Sequence, residues 1–128
     1  MATARHHARL DAPAGEVWEL VNDPGGIADW LPGIDEVRME GDVRVVSAMG
    51  AEITEACTSH DEIRRFEYTI TESPLGLSSH LATIDVLEDG DGCIAVYTCA
   101  IEPGDTLAIF DGLAKSGVDA LVERFGAG

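Results

Sequence analysis

From Ile34 to Pro103 the chain repeats one pattern: short runs rich in Val, Ile, Thr, Tyr and Phe, each closed by a polar or glycine turn, at a spacing of roughly ten residues. The pattern predicts a meander of antiparallel strands over 35–40, 44–49, 51–60, 64–72, 79–87 and 92–102. The intervening turns carry residues suited to tight backbone geometry, among them Glu40-Gly41-Asp42, His60-Asp61-Glu62, Ser73-Pro74-Leu75-Gly76 and Glu88-Asp89-Gly90-Asp91-Gly92.

Helical periodicity brackets the meander. Residues 3–10 have the length of a strand but few strand formers. Asp11-Ala12-Pro13 then reads as a helix start, with Val17, Leu20 and Val21 on one face of a short helix over 14–21. Asn22-Asp23-Pro24-Gly25-Gly26 is a turn cluster, and 27–31 has room for one or two helical turns before Pro32-Gly33 stops it. After Gly104, where Asp105 or Thr106 is placed to cap, Leu107, Phe110, Ala114, Gly117, Leu121 and Phe125 recur at spacings of three and four. A helix of about twenty residues, closed by Gly126, follows. Gly112 and Gly117 inside it each cost about 1 kcal/mol relative to alanine, so something besides helix propensity favours them. Strands bracketed by helices define an α+β fold, and the length suits one domain over 1–128.

Charge excludes some partners. Twenty-four acids face eight bases, a formal charge of -16, and Lys115 is the single lysine. Nucleic acid and anionic membranes require clustered Lys and Arg, so neither is an expected partner. No stretch approaches the roughly 18 apolar residues of a membrane span, and the first residues lack the apolar core of a signal peptide, so a soluble cytoplasmic protein, monomeric or homodimeric, is expected. Cys57, Cys93 and Cys99 are an odd number without a CxxC pair, which suits reduced packing residues. No metal is expected: His6 and His7 are adjacent, so they point to opposite sides of a strand, and His60 and His80 lack ligand spacing. The acids from Asp85 to Asp91 lack the calcium-loop spacing, and nucleotide-binding glycine motifs and a GxSxG are absent, so no cofactor is expected.

The element order, with Asp11-Ala12-Pro13-Ala14-Gly15-Glu16-Val17-Trp18 and Asp29-Trp30-Leu31-Pro32-Gly33-Ile34, resembles the polyketide cyclase/dehydrase and lipid transport family of the START/Bet v 1-like superfamily, also called SRPBCC. The match spans essentially the whole chain. The resemblance implies a helix-grip fold, a seven-stranded antiparallel sheet curled around the C-terminal helix, with two short helices closing one end of an internal cavity. Members include cyclases acting on polyketides and carriers of lipids and hormones, so the family alone does not name a reaction.

Alternation within each strand nominates the cavity wall. The inward sets are Phe66, Tyr68 and Ile70; His80, Ala82, Ile84 and Val86; and Ile53, Glu55 and Cys57. In 92–102 both faces are apolar, and the family pattern favours Tyr97, Cys99 and Ile101 inward. Trp30 and Pro32 are expected at the mouth, with Phe110 and Gly117 on the helix wall. The expected occupant is a small hydrophobic molecule, a polyketide, lipid or sterol-like compound held by burial with one or two orienting polar groups. Two alternatives stand beside simple binding. One is a cofactor-independent cyclase or dehydratase in which Glu55 or His80, displaced toward neutral pKa by an apolar setting, moves protons while Tyr68 or Tyr97 polarises a carbonyl. The other is an interaction module with an acidic surface. Against any chemical role, Glu55 can pair with a neighbouring arginine, His80 can be a hydrogen-bonded core residue, Trp30 can anchor the core, and the two glycines can serve close packing.

Overall fold

A computed structural model describes Met1–Gly128. Its strands are β1 (Ala2–Leu10), β2 (Glu36–Glu40), β3 (Val43–Ala48), β4 (Ala51–His60), β5 (Arg65–Glu72), β6 (Ser79–Asp89) and β7 (Gly92–Glu102). They form one antiparallel sheet in the order β1-β7-β6-β5-β4-β3-β2. Helix α1 (Ala14–Val21) and a 3-10 segment, Pro24–Asp29, lie between β1 and β2, and helix α2 (Leu107–Phe125) ends the chain.

Hairpins build β2 through β7 in sequence order, and β1 closes the far edge by pairing with β7 from Ala2 opposite Ile101 to Leu10 opposite Cys93. That ladder explains why residues with weak strand propensity are extended: β7 supplies a partner along the whole of β1, and pairing overrides local preference. The end of α2 is tied to the same edge. Gly126 takes a φ of 88°, a conformation that glycine adopts without strain, and its carbonyl accepts the Asp11 N–H at 2.9 Å.

Two local expectations change. The second short element is a 3-10 segment over Pro24–Asp29, starting earlier than the helix expected at 27–31. With Pro24 fixing its first turn, two glycines following and Pro32 close behind, there is no length for a continuous α-helix: Gly26 N–H reaches back to the Asp23 carbonyl at 3.0 Å, and a single α-type bond, from Leu31 N–H to the Ile27 carbonyl at 2.9 Å, closes the segment. Neither Asp105 nor Thr106 caps α2 through its side chain, because a 3-10 turn over Gly104–Thr106 leads directly into the helix.

Twenty-three buried residues form one core between the concave sheet face and the helices. Alternation runs through β6 and β7: His80, Ala82, Ile84 and Val86 are buried, as are Cys93, Ala95, Tyr97, Cys99 and Ile101, with Thr83 on the opposite face of β6 also buried. Helix α2 packs against β1 and β7, while α1 packs against β6. The Trp18 indole N–H donates to Asp61 Oδ1 at 2.6 Å, which fixes α1 to the turn between β4 and β5.

The glycines in α2 serve different ends. A Cβ at Gly117 would lie 2.9 Å from ring carbons of Tyr97 and 3.1 Å from Leu31 Cδ1, so the missing side chain is what lets α2 approach the sheet there. A Cβ at Gly112 would meet nothing within 4 Å. Urea denaturation should therefore separate them. Gly112→Ala is expected to stabilise by up to about 1 kcal/mol through helix propensity. Gly117→Ala should destabilise by about 1–3 kcal/mol through overpacking.

Candidate ligand cavity

Because α2 lies over the β1 and β7 side of the sheet, the concave face is left uncovered toward β3, β4 and β5. A cavity of about 440 Å³ occupies that space. Its sheet wall includes Val46, Ile53, Glu55, Tyr68 and Ile70, and its helix wall includes Phe110, Gly112, Leu113 and Ser116. Leu31, Pro32 and Ile34, in and around the loop entering β2, complete one side. Met49 and Ile109 also border the space, and both are exposed apolar side chains. Met49 holds a φ of 52° in the tight turn between β3 and β4, followed by Gly50 at 75°, so this turn juts from the sheet with a methionine at its tip.

Pro32, Glu55, Tyr68 and Phe110 are thus brought together on the cavity wall. Trp30, Phe66, His80, Tyr97 and Gly117 are not on it; all five are packed in the protein interior. The reason is the helix position. Tyr97 lies directly beneath Gly117, and the His80 ring sits between Tyr68 and Phe110, 5.5 and 5.4 Å from their centroids. Inward-facing residues near the helix form a packed layer, and those toward β4 face open space.

One polar group on the wall is charged. Glu55 accepts a hydrogen bond from Arg44 Nε at 2.6 Å, across the register that places Arg44 opposite Glu55. Arg44 is 1% exposed. Its Nη1 donates to the Pro24 carbonyl at 3.1 Å, holding the 3-10 segment, and its guanidinium lies 4.9 Å from the Tyr68 ring centroid and 5.3 Å from that of Phe66. These contacts combine charge-assisted hydrogen bonding with cation–π attraction. Burial raises the Glu55 carboxyl pKa above its ordinary value, and the neighbouring Arg44 opposes that shift. The arginine partner is the residue that strand alternation left unassigned, although Arg44, Val46 and Ala48 share the inward phase of β3 and are all buried.

The remaining polar groups partner one another. Tyr68 and Tyr97 share a hydroxyl–hydroxyl hydrogen bond, and burial raises the pKa of both phenols, so they are neutral. His80 Nδ1 accepts the Ile70 backbone N–H at 3.0 Å, which places the imidazole proton on Nε2, a buried atom without a partner. Burial lowers the His80 pKa to about 4. Its free nitrogen is therefore a donor, and its basic nitrogen is already used.

A seven-stranded sheet closed on a C-terminal helix around an apolar space is the helix-grip architecture. The chain belongs to the polyketide cyclase / dehydrase and lipid transport family, whose sequence model matches residues 1–127. Among solved structures, the protein XoxI from Bacillus cereus is 26% identical, with 98% of this chain and 96% of that one covered at a TM-score of 0.88. A solution structure from Thermobifida fusca is 29% identical, covering 98% and 94% at a TM-score of 0.83. Norcoclaurine synthase from Thalictrum flavum, in complex with dopamine and hydroxybenzaldehyde, shares the fold at 20% identity, covering 96% and 85% at a TM-score of 0.73. No curated protein sequence is a significant match. No helix is long and apolar enough to cross a membrane.

Two outcomes test the polar layer. Arg44→Met leaves Glu55 buried without its cation and should cost about 3–5 kcal/mol by denaturant unfolding, whereas Arg44→Met with Glu55→Leu should recover most of that loss. The folded His80 pKa of about 4 lies below the unfolded value near 6.5. Protonation consequently favours the unfolded chain: the His80 contribution is fully retained above pH 6.5 and falls by up to about 1.4 kcal/mol per pH unit on acidification toward pH 4. His80→Asn keeps an acceptor at the Nδ1 position for the Ile70 N–H and should remove that component from the pH dependence of the unfolding midpoint.

Proposed function

We propose that the cavity binds a small hydrophobic molecule of the polyketide, lipid or sterol-like class, and that the protein does so in the cytoplasm as a monomer or homodimer. The observation that carries this reading is the void itself: about 440 Å³, with 14 of its 19 lining residues hydrophobic. Its size falls within the range of about 300–1,000 Å³ typical of small-molecule sites, and a largely apolar wall derives affinity from burial while a few polar groups orient the guest. Membership of a family that includes lipid transport in its description supports the same reading.

A second reading, a cyclase or dehydratase, rests on Glu55. It is an ionisable group on the wall whose pKa is raised by burial, which suits proton transfer to or from a bound polyketone. The same carboxylate also neutralises Arg44, so any proton it accepts weakens that pair. His80 supports this reading less, because Ile70 N–H occupies its lone pair. Binding is the reading favoured here, since it uses the cavity without requiring the ion pair to open.

Gly112 provides a direct test, because a side chain added there has open space before it and the residue lines the cavity. With 1-aminoanthracene as a neutral fluorescent probe, Gly112→Phe should bind at least tenfold more weakly than the natural protein while unfolding at the same or a higher denaturant concentration. Native mass spectrometry of protein purified from its host should show a co-purified small molecule. Failure of any neutral apolar probe to bind, with no co-purified molecule, would contradict the proposal.

A further inference from the structure

Glu55 also bears on which apolar molecules fit, an inference that rests on the binding role proposed above. It is the single charged residue on the cavity wall, and no lysine, arginine or histidine joins it there. Its Oε1 takes the Arg44 N–H, while Oε2 takes no protein donor and is not among the sealed, partnerless polar atoms. One carboxylate lone-pair face is therefore left to whatever fills the cavity. Arg44 does not offer the opposite polarity to a guest, because it lies behind Glu55 with its remaining nitrogen, Nη2, buried. The other hydroxyl on the sheet wall, that of Tyr68, is engaged with Tyr97, which leaves Ser116 as the polar side chain on the helix wall.

We infer that the cavity selects neutral apolar molecules that end in a hydroxyl, whose O–H donates to Glu55 Oε2, and rejects the corresponding carboxylates. A hydroxyl donor satisfies the open oxygen with a charge-assisted bond. A carboxylate brought to the same place adds a second anion in a low-dielectric space without a cation to receive it, and the overall charge of -16 opposes its approach from solution. An ammonium could also donate to Oε2, but Arg44 already neutralises Glu55, so a second cation would give up its hydration without an unpaired anion to receive it. On this basis free fatty acids are poor guests, while phenols and alcohols with an extended apolar body are good ones.

The test uses the natural protein with bound 1-aminoanthracene as reporter, displaced at pH 7.5 by naphthalene, 2-naphthol and 2-naphthoate, and by 1-decanol and decanoate. The expected result is that each hydroxylated probe binds at least tenfold more tightly than the carboxylate of the same skeleton, and that 2-naphthol exceeds naphthalene. In the paired variant Arg44→Met with Glu55→Gln, which leaves no isolated buried charge, the preference for hydroxyl over carboxylate should shrink to within about threefold, because a glutamine amide both donates and accepts. Carboxylates that bind as tightly as alcohols would overturn the inference, as would 2-naphthol binding no better than naphthalene; in either case the cavity would remain a binding site without this selectivity. Absence of binding by every probe would overturn the cavity reading and this inference with it. Should the paired variant fail to fold, the preferences of the natural protein decide alone.

Discussion

The approach of Gly117 to the Tyr97 ring sets the geometry of the molecule. A side chain at residue 117 would hold α2 off the sheet, and its absence lets the helix settle against β7 and β1, where Phe110, Ala114, Val118 and Leu121 join the core. A helix placed so far toward one edge of a seven-stranded sheet cannot also cover the other half. The concave face of β3, β4 and β5 is left open, and the volume there follows from packing elsewhere. Stability and binding capacity thus occupy opposite halves of one curved surface: a dense layer that includes Tyr97, Cys99, Ala82 and Ile84 on β6 and β7 under the two helices, and a hollow bordered by Ile53, Ile70 and Gly112 beyond it.

Between these halves lies a narrow belt of polar side chains. Arg44, Glu55, Tyr68, Tyr97 and His80 are all buried, and each meets at least one of the others or the backbone. Buried charge is costly to strand, so the Arg44–Glu55 pair is better understood as fixing a unique arrangement than as a large net source of stability. It joins β3 to β4 and, through the Pro24 carbonyl, holds the 3-10 segment whose continuation forms one side of the cavity. On its protein side the belt leaves two buried donors, Arg44 Nη2 and His80 Nε2, without partners, and on its cavity side Glu55 Oε2 takes no protein donor. The acidic surface has a different part, since it bears on which solutes approach rather than on how the chain packs.

Much of the architecture was legible from residue patterning. Turn residues marked the hairpins, helical spacing marked α1 and α2, and alternation assigned the inward phase of β4, β5 and β6, whereas β7, apolar on both faces, took its phase from the family pattern. The limits had physical causes. Strand alternation says which side chains point inward but not what lies above them, so His80, Phe66 and Tyr97 were expected on the cavity wall and instead lie in the packed interior, Tyr97 beneath Gly117 and His80 against Phe110 of α2, Phe66 against Tyr68 and Arg44. Gly117 and Gly112 are alike as residues and differ only in what stands opposite them. Arg44 in a strand run resembles any solvent-facing arginine until the β3–β4 register sets it across from Glu55. β1 is extended through its partner rather than its composition, and Pro24–Asp29 is a 3-10 segment because proline and two glycines leave no length for an α-helix.

The placement of the binding volume is tested most directly by amide chemical-shift mapping of the isotope-labelled protein titrated with 2-naphthol. Saturable shifts concentrated at Ile53, Glu55, Ile70, Gly112 and Leu113, with little change at the outer-face residues Arg5, Thr83 and Thr98, are the expected result. Shifts confined to the outer face, or spread without saturation over the surface, would contradict the assignment of this cavity as the place where the protein holds its guest.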